Sequence, residues 1–135
     1  MIYIDTNVII AFIDELDPNH AKAEGLLRAL KGNRVASKLT LAELSSVYSR
    51  ASLNEPLALA IYSIKRIKAE VADVDFNEIL THALKLAPSL KLRTLDLLHV
   101  TACKLSGAKF FATFDKDIIA KADAIRKMGI EVVTT

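Results

Sequence analysis

Short apolar runs alternate along this chain with longer stretches in which apolar residues recur at helical spacing. Residues 2–4 form a β-rich apolar run that ends at Asp5, and the following Thr6 and Asn7 are typical of the start of a helix. Four further short runs have strand character, at 34–37, 70–74, 109–113 and 130–133. Helical periodicity predicts helices over 8–13, 76–86 and 117–128, and others that begin after 17–19 and near positions 40, 54 and 94.

This alternation of strands and helices indicates the fold class. Successive strands that are joined through a helix run parallel, and their helices cover both faces of the sheet. We therefore predict a three-layer α/β/α fold with a central parallel sheet of four or five strands. The 135 residues suffice for one domain, spanning 1–135, and leave no room for a second core.

The composition narrows the class of protein. Hydrophobic residues make up 52% of the chain and charged residues 25%, as in a folded chain rather than a disordered one. Cys103 is the one cysteine, which excludes an internal disulfide and a thiolate metal cluster. The first residues carry no basic leader, and no apolar run approaches the roughly 20 residues that span a bilayer, so we expect a cytoplasmic protein. The net charge of +2 permits contact with phosphates but does not require it.

Four acidic residues follow predicted strands or begin predicted helices. Asp5 and Asp115 lie where two strands end, while Glu43 and Asp96 lie in the first turn of a helix. Each acid taken alone is explained by helix capping, and Glu43 has capping-box spacing from Thr40. In a parallel sheet, however, these positions share one edge, where ligands bind. Two carboxylates about 4 Å apart repel by roughly 4 kcal/mol at an effective dielectric near 20, so a cluster of them recruits cations.

An all-carboxylate cluster favours one kind of chemistry. Mg²⁺ and Mn²⁺ prefer oxygen ligands, and such ions promote phosphodiester hydrolysis by activating water and stabilising the leaving oxygen. A glycine-rich phosphate loop is absent from the sequence, which argues against nucleoside triphosphate chemistry. An aspartyl-phosphate phosphatase would need a second acid two positions after Asp5, where this chain has Asn7. A receiver domain would need paired acids after its first strand, and only Asp5 is available there.

At these acids the sequence resembles the PIN-domain family, and within it the compact VapC-like toxin ribonucleases. The likeness extends over almost the whole chain, and four short motifs in order make it specific. These motifs are YIDTN at 3–7, LAEL at 41–44, TLDLLH at 94–99 and FATFDKD at 111–117.

The resemblance implies an acidic pocket that holds Mg²⁺ or Mn²⁺ and hydrolyses single-stranded RNA, leaving a 5′-phosphate and a 3′-hydroxyl. It also implies a homodimer silenced by a cognate antitoxin. An RNA-processing nuclease outside a toxin system, and a non-catalytic binding module, are the alternatives. The implied metal ligands are Asp5, Glu43, Asp96 and Asp115, with Asp117 as an additional candidate, and Thr6, Asn7 and Thr113 are implied to hydrogen-bond around them.

Other polar residues have two interpretations each. Lys38, Arg93 and Lys116 flank the acids in sequence and are candidate RNA contacts, although a solvated surface explains each equally well. His99 follows Asp96 by three positions, which permits a ligand role, but its apolar neighbours favour a packed, hydrogen-bonded core histidine. Segment 41–67 carries a surplus of apolar residues, for which core helices or a dimer or antitoxin surface would account.

Overall fold

The computed structural model describes residues 1–135, and its regular elements follow the order that the sequence predicts. Each strand contains three residues, and each overlaps a predicted run, although β3 begins one residue before the predicted 70–74 and ends three residues before it does. The strands are β1 (Ile2–Ile4), β2 (Arg34–Ala36), β3 (Ala69–Val71), β4 (Phe110–Ala112) and β5 (Glu131–Val133). The helices are α1 (Thr6–Ile13), α2 (His20–Ala29), α3 (Lys38–Arg50), α4 (Pro56–Arg66), α5 (Phe76–Leu90), α6 (Thr94–Leu105), α7 (Lys116–Ile119) and α8 (Ala122–Lys127).

The five strands form one parallel sheet in the order β3-β2-β1-β4-β5. β1 lies at the centre, where Tyr3 is in register with Val35 of β2 and Phe111 of β4. Because the chain first moves from β1 to β3 and then crosses back to β4 and β5, right-handed crossovers place the later helices on the opposite face. The predicted parallel sheet is confirmed, with five strands.

Two hydrophobic clusters, one on each side of the sheet, make up the core. Successive side chains of β1 alternate between them, as the pleat of a strand requires. Ile2 and Ile4 pack with residues of α1 to α4, including Leu44. Tyr3 packs on the other side with residues of α5, α6 and α8, and its ring stacks on that of Phe111 at a centroid distance of 5.4 Å. The predicted covering of both sheet faces by helices is therefore confirmed.

The reversal of strand order creates a crevice between the carboxyl ends of β1 and β4. In open α/β sheets this is where ligands bind, because the connections from the two strands leave in opposite directions. The two strand ends are joined there by a backbone bond of 2.9 Å from Asp5 N–H to the Ala112 carbonyl. Asp5 and the residues that follow Ala112 are thus adjacent even though more than a hundred positions separate them in sequence.

Helix α3 begins earlier than predicted. The capping box joins Ser37 and Thr40 rather than Thr40 and Glu43, and the Ser37 backbone N–H donates to Thr40 Oγ1 at 3.2 Å. Both pairs have the same spacing, and Ser37 directly follows the strand, so the earlier residue caps the helix. Glu43 consequently lies in the second turn of α3, and the prediction that it occupies a first turn is wrong.

Two other helix boundaries differ from prediction. α5 continues through Pro88 to Leu90, because a proline in the last turn removes a bond only to the carbonyl of Leu84, a residue that is largely exposed to water. The helix predicted over 117–128 is two helices, α7 and α8, separated by a turn in which Lys121 N–H bonds the Ile118 carbonyl. The spacing of apolar residues cannot detect such a turn. Residues seven positions apart share a face of one continuous helix, and they can also share a buried face when two short helices are separated by a turn.

The apolar surplus in segment 41–67 lies partly on the surface. Ile64 of α4 is buried, whereas Leu57 and Ile61 of the same helix are 56% and 41% exposed. Alanine and serine at positions 60 and 63 fill the buried face instead. None of the helices has both the length and the apolar character needed to cross a membrane.

Candidate active site

Asp5 lies at the bottom of the crevice, at the end of β1 and at the N-cap of α1. It is only 6% exposed, and three neutral groups donate hydrogen bonds to its carboxylate. Thr113 Oγ1 donates at 2.7 Å, the Thr6 backbone N–H at 2.9 Å and the Asn7 side-chain amide at 3.3 Å. These donors come from both strand ends and fix the carboxylate without neutralising its charge.

Burial raises the pKa of Asp5 above its usual value, and the nearby Glu43 raises it further, while His99 and the hydrogen bonds from Thr113 and Thr6 act in the opposite direction. Five ion pairs occur in the structure, and in none of them does a lysine or arginine meet Asp5. A buried carboxylate without a cation is costly unless a positive ligand compensates its charge.

Asp96 lies in the first turn of α6, where the prediction placed it, and is partly buried. Burial raises its pKa to about 6, the charges of Asp115 and Asp5 contribute next, and the opposing effect of His99 outweighs the small contribution of Glu43. Such an effect requires the four carboxylates to be close enough to repel one another. Asp96 therefore lies within range of the charges of the other three acids, at the same edge of the sheet, as sequence order suggested.

Asp115 caps the short helix α7 by accepting hydrogen bonds from Asp117 N–H at 2.8 Å and Ile118 N–H at 3.3 Å. Its own backbone N–H donates to Thr113 Oγ1 at 2.9 Å, so one hydroxyl links Asp115 to Asp5. Helix capping and membership of the acidic cluster thus coincide in this residue. The side chain of Asp117 is exposed and contacts none of the four acids, and its role as a metal ligand stays a prediction.

Glu43 approaches the cluster from α3 and makes a single side-chain hydrogen bond, from His99 Nε2 to its Oε1 at 3.0 Å. Burial raises the pKa of Glu43, but the hydrogen bond and the charge of His99, together with the nearby Thr6 hydroxyl, outweigh burial and hold the pKa below its usual value. A carboxylate oxygen of Asp5, one of Glu43 and a ring nitrogen of His99 lie within 4.8 Å of one another.

His99 is buried and hydrogen-bonded at both ring nitrogens, as predicted for a core histidine. Its contact with Glu43 was not predicted, although the spacing of three from Asp96 placed it on the same side of α6. On the other side of the ring, Nδ1 lies 2.8 Å from the hydroxyl of Tyr3, which lies 2.7 Å from that of Ser37. Burial also holds the pKa of Tyr3 above its usual range. Tyr3 lies in the YIDTN motif and Ser37 ends the predicted strand at 34–37, but no local signal in the sequence indicates that they contact each other or His99.

The cluster has the properties of a site for a hard divalent cation. Its donors are carboxylate oxygens, which Mg²⁺ and Mn²⁺ prefer over softer ligands. Beside them, Thr6 Oγ1 is the one buried side-chain oxygen or nitrogen in the structure without a hydrogen-bond partner. Buried hydroxyls almost always have a partner, and a water bound to a cation would supply one. The predicted hydrogen-bonding of Asn7 and Thr113 to the acids is present, whereas Thr6 contributes its backbone rather than its hydroxyl.

Three basic residues stand at the same edge of the sheet as the acids. Lys38 and Lys116 are the first residues of α3 and α7, and Arg93 is the N-cap of α6. All three are exposed, and none forms an ion pair. They are therefore free to meet an anionic ligand that approaches the acidic cluster.

Comparison with known proteins places this geometry among related structures. A model of the PIN-domain family matches residues 2–124. VapC20 of Mycobacterium tuberculosis, described as a sarcin–ricin loop cleaving toxin, has a TM-score of 0.70 at 18% identity, over 89% of this chain and 94% of that one. VapBC-1 of nontypeable Haemophilus influenzae has a TM-score of 0.68 at 24% identity, over 99% and 98%. A toxin–antitoxin complex from Klebsiella pneumoniae has a TM-score of 0.70 at 16% identity, over 99% and 97%. At these identities the structural likenesses show a shared fold, and comparison with curated protein sequences found no match.

Proposed function

The chain belongs to the PIN-domain family, and on that premise we propose that it is a divalent-metal-dependent endoribonuclease that cleaves single-stranded RNA in the cytoplasm. The observation that carries the proposal is the convergence of four carboxylates whose mutual repulsion contributes to raising the pKa of Asp96 to about 6. No lysine or arginine compensates this charge, and His99 is the one basic side chain that pairs with an acid of the cluster, at Glu43. A fold retains such a repulsive arrangement where a bound cation relieves it.

Mg²⁺ or Mn²⁺ is the proposed cofactor, and when bound it supplies a polarised phosphoryl oxygen and a water of lowered pKa. The protein contributes a rigid arrangement of ligands. Thr113 and Asn7 hold the Asp5 carboxylate through hydrogen bonds of 2.7 and 3.3 Å, so it needs no reorganisation when a substrate arrives. Capping of α7 restricts the carboxylate of Asp115 in the same way. The residues that would hold the ion are Asp5, Glu43, Asp96 and Asp115.

RNA is the proposed substrate because exposed cations surround the acidic crevice. Three exposed cations, Lys38, Arg93 and Lys116, can contact phosphates on either side of the bond that is cleaved. The scissile phosphate itself is negatively charged and would be repelled by the acids, so a bound metal ion is needed to hold it there. Attack of water on the phosphorus, opposite the departing 3′ oxygen, would give a 5′-phosphate and a 3′-hydroxyl.

We also propose that the protein is the toxin of a toxin–antitoxin pair and forms a homodimer. The support is the fold shared with VapC20 and with two toxin–antitoxin assemblies. A second support is the apolar surface of α4, where Leu57 and Ile61 are exposed beside Tyr62. Apolar side chains grouped on one helix face are typical of a surface that another chain covers.

Cleavage of a single-stranded RNA in Mg²⁺ or Mn²⁺, with and without EDTA, tests the proposed function. We expect cleavage that EDTA abolishes and added Mn²⁺ restores. Asp5→Asn should remove it, because the change keeps the shape of the side chain but deletes its charge. Asp73→Asn is the matched control, since Asp73 is an exposed acid that makes no hydrogen bond or ion pair. Cleavage that persists in EDTA, or in Asp5→Asn, would contradict the proposal.

A further inference from the structure

We propose that His99 is a positioning residue that fixes Glu43 in the acidic cluster, and that a buried hydrogen-bonded chain from Ser37 through Tyr3 fixes His99. The inference rests on the proposed metal-dependent function, because it concerns how one proposed ligand is held. It assigns a functional role to two residues that had none so far: Tyr3, which begins the YIDTN motif, and Ser37, which caps α3.

Three short contacts form the chain. Ser37 Oγ lies 2.7 Å from Tyr3 Oη, Tyr3 Oη lies 2.8 Å from His99 Nδ1, and His99 Nε2 lies 3.0 Å from Glu43 Oε1. Ser37, Tyr3 and His99 are each no more than 2% exposed. The chain thus connects the central strand, the start of α3 and the interior of α6 to the acidic cluster without contact with solvent.

The direction of these bonds follows from the chemistry of their ends. An ionised carboxylate only accepts hydrogen bonds, so His99 Nε2 must carry the proton that it shares with Glu43. In the neutral ring Nδ1 is then an acceptor, and the Tyr3 hydroxyl donates to it. Tyr3 has used its one proton, so the Ser37 hydroxyl donates to Tyr3 in turn. Every member donates once toward Glu43, and this consistent direction holds the ring in one tautomer.

The same arrangement keeps His99 from acting as a metal ligand. Coordination through Nε2 needs a lone pair, and the proton on Nε2 occupies that position. The other nitrogen faces Tyr3 and the core rather than the acids. The ligand set therefore remains all-oxygen, which favours Mg²⁺ and Mn²⁺ over zinc. The Thr6 hydroxyl lies near Glu43 and lowers its pKa, but the bond from His99 is the one contact of Glu43 with ordinary hydrogen-bond geometry, so the orientation of Glu43 depends mainly on His99.

Tyr3→Phe is the decisive variant, because it removes one hydroxyl from the chain and leaves the ring packing intact. Tyr48→Phe is its matched control: the Tyr48 hydroxyl is also buried and lies 2.7 Å from a serine hydroxyl, that of Ser63, in the other core cluster. Both variants lose a buried hydroxyl that is paired with a serine, and Tyr3→Phe also loses the contact with His99. Stability is expected to fall further in Tyr3→Phe, but a purely structural role predicts no change in Mn²⁺ affinity in either variant.

Calorimetric titration with Mn²⁺ alone separates the two roles. We expect Tyr3→Phe to weaken Mn²⁺ binding by about tenfold, as loss of outer-shell partners typically does, and Tyr48→Phe to leave it unchanged. Cleavage by Tyr3→Phe should recover at high Mn²⁺. His99→Gln, which retains a donor at the position of Nε2, should bind Mn²⁺ more tightly than His99→Leu.

The protonation of the ring provides a readout that does not depend on metal. Nitrogen-15 NMR of the metal-free protein should show His99 protonated at Nε2, with its signals altered by Tyr3→Phe and not by Tyr48→Phe. Wild-type affinity for Mn²⁺ in Tyr3→Phe would overturn the inference and leave the proposed function standing. If the wild-type protein itself fails to bind Mn²⁺ and to cleave RNA, the proposed function falls and this inference with it.

Discussion

Replacing Asp96 with asparagine should stabilise the metal-free protein near neutral pH while it abolishes cleavage. The carboxylate of Asp96 has a pKa of about 6 against an ordinary 3.8, first because of burial and then because of Asp115 and Asp5. The folded protein therefore binds this proton more tightly than the unfolded chain does. The stability contributed by the protonated carboxyl of Asp96 is present in full below about pH 4 and is lost as the pH rises to about 6. Above that pH, ionisation of Asp96 lowers the free energy of unfolding by its full amount.

The size of the effect follows from the same geometry. The difference between a pKa of about 6 and 3.8 corresponds to about 3 kcal/mol if it is taken in full. Asp96 is only partly buried, so screening by solvent reduces this to roughly 1–2 kcal/mol. A negative charge in the first turn of α6 regains about 0.5 kcal/mol from the helix dipole. The Asp96→Asn variant should therefore be favoured by about 1 kcal/mol once these effects are combined.

Denaturant unfolding in EDTA, followed by circular dichroism, measures this difference. We expect Asp96→Asn to be more stable than the wild type by about 1 kcal/mol at about pH 7.5, and by less than half of that at about pH 4.5. Mn²⁺ at about 100 times its dissociation constant should add about 2.7 kcal/mol to the wild type and reverse the order. Asp73→Asn, at an exposed acid that makes no hydrogen bond or ion pair, is the control. Two results would refute the repulsion on which this reasoning depends. One is an Asp96→Asn variant that is less stable than the wild type in EDTA at the higher pH, and the other is a difference in stability that is the same at both pH values.

Three further predictions concern the surroundings of the acids and the exposed face of α4. Thr6→Val removes a buried hydroxyl without a partner, so thermal unfolding in EDTA should show a gain in stability of about 1 kcal/mol, and calorimetry should show weaker Mn²⁺ binding. No gain in stability would mean that the hydroxyl has a partner. Alanine at Lys38, Arg93 and Lys116 should each reduce the slope of log K against log salt for single-stranded RNA by about 0.7, measured by fluorescence anisotropy in EDTA, and an unchanged slope would exclude that residue from the phosphate contacts. Leu57→Glu should convert a dimer to a monomer in light scattering, because Leu57 is 56% exposed on the apolar face of α4, and a persistent dimer would place the interface elsewhere.

The sequence was sufficient to predict the parts of this structure that depend on local pattern. Ile2–Ile4 was located as a strand to the residue, because a β-rich run stops at an acid that begins a helix. Asp5 and Asp115 could be placed at the ends of neighbouring strands, since parallel topology follows from the alternation of elements. Both acids also cap helices, so the same sequence pattern, an acid between a strand and a helix, predicts both the helix cap and the place of each acid in the cluster.

What could not be predicted depends on partners distant in sequence. The contacts of Tyr3 with Ser37 and His99 span 34 and 96 positions, and they exist only because strand order places β1 beside the start of α3 and under α6. The start of α3 was misplaced because two capping boxes of equal spacing overlap, and only the end of β2 decides between them. The apolar surplus of segment 41–67 left core helices and a partner surface as alternatives, because small residues, which carry little hydrophobic signal, fill the buried face of α4.

The hydrogen-bond donors around Asp5 explain how the fold can hold a cluster of mutually repelling carboxylates and still leave it available to a cation. Every direct donor to this carboxylate is neutral: a hydroxyl from Thr113, a backbone N–H from Thr6 and an amide from Asn7. A lysine or arginine in the same position would stabilise the metal-free protein, but it would also cancel the charge that attracts a cation. Neutral donors fix the geometry and leave the negative charge in place. The hydrogen bond from His99 Nε2 fixes Glu43 in a similar way, so the orientation of both carboxylates is provided by hydrogen bonds.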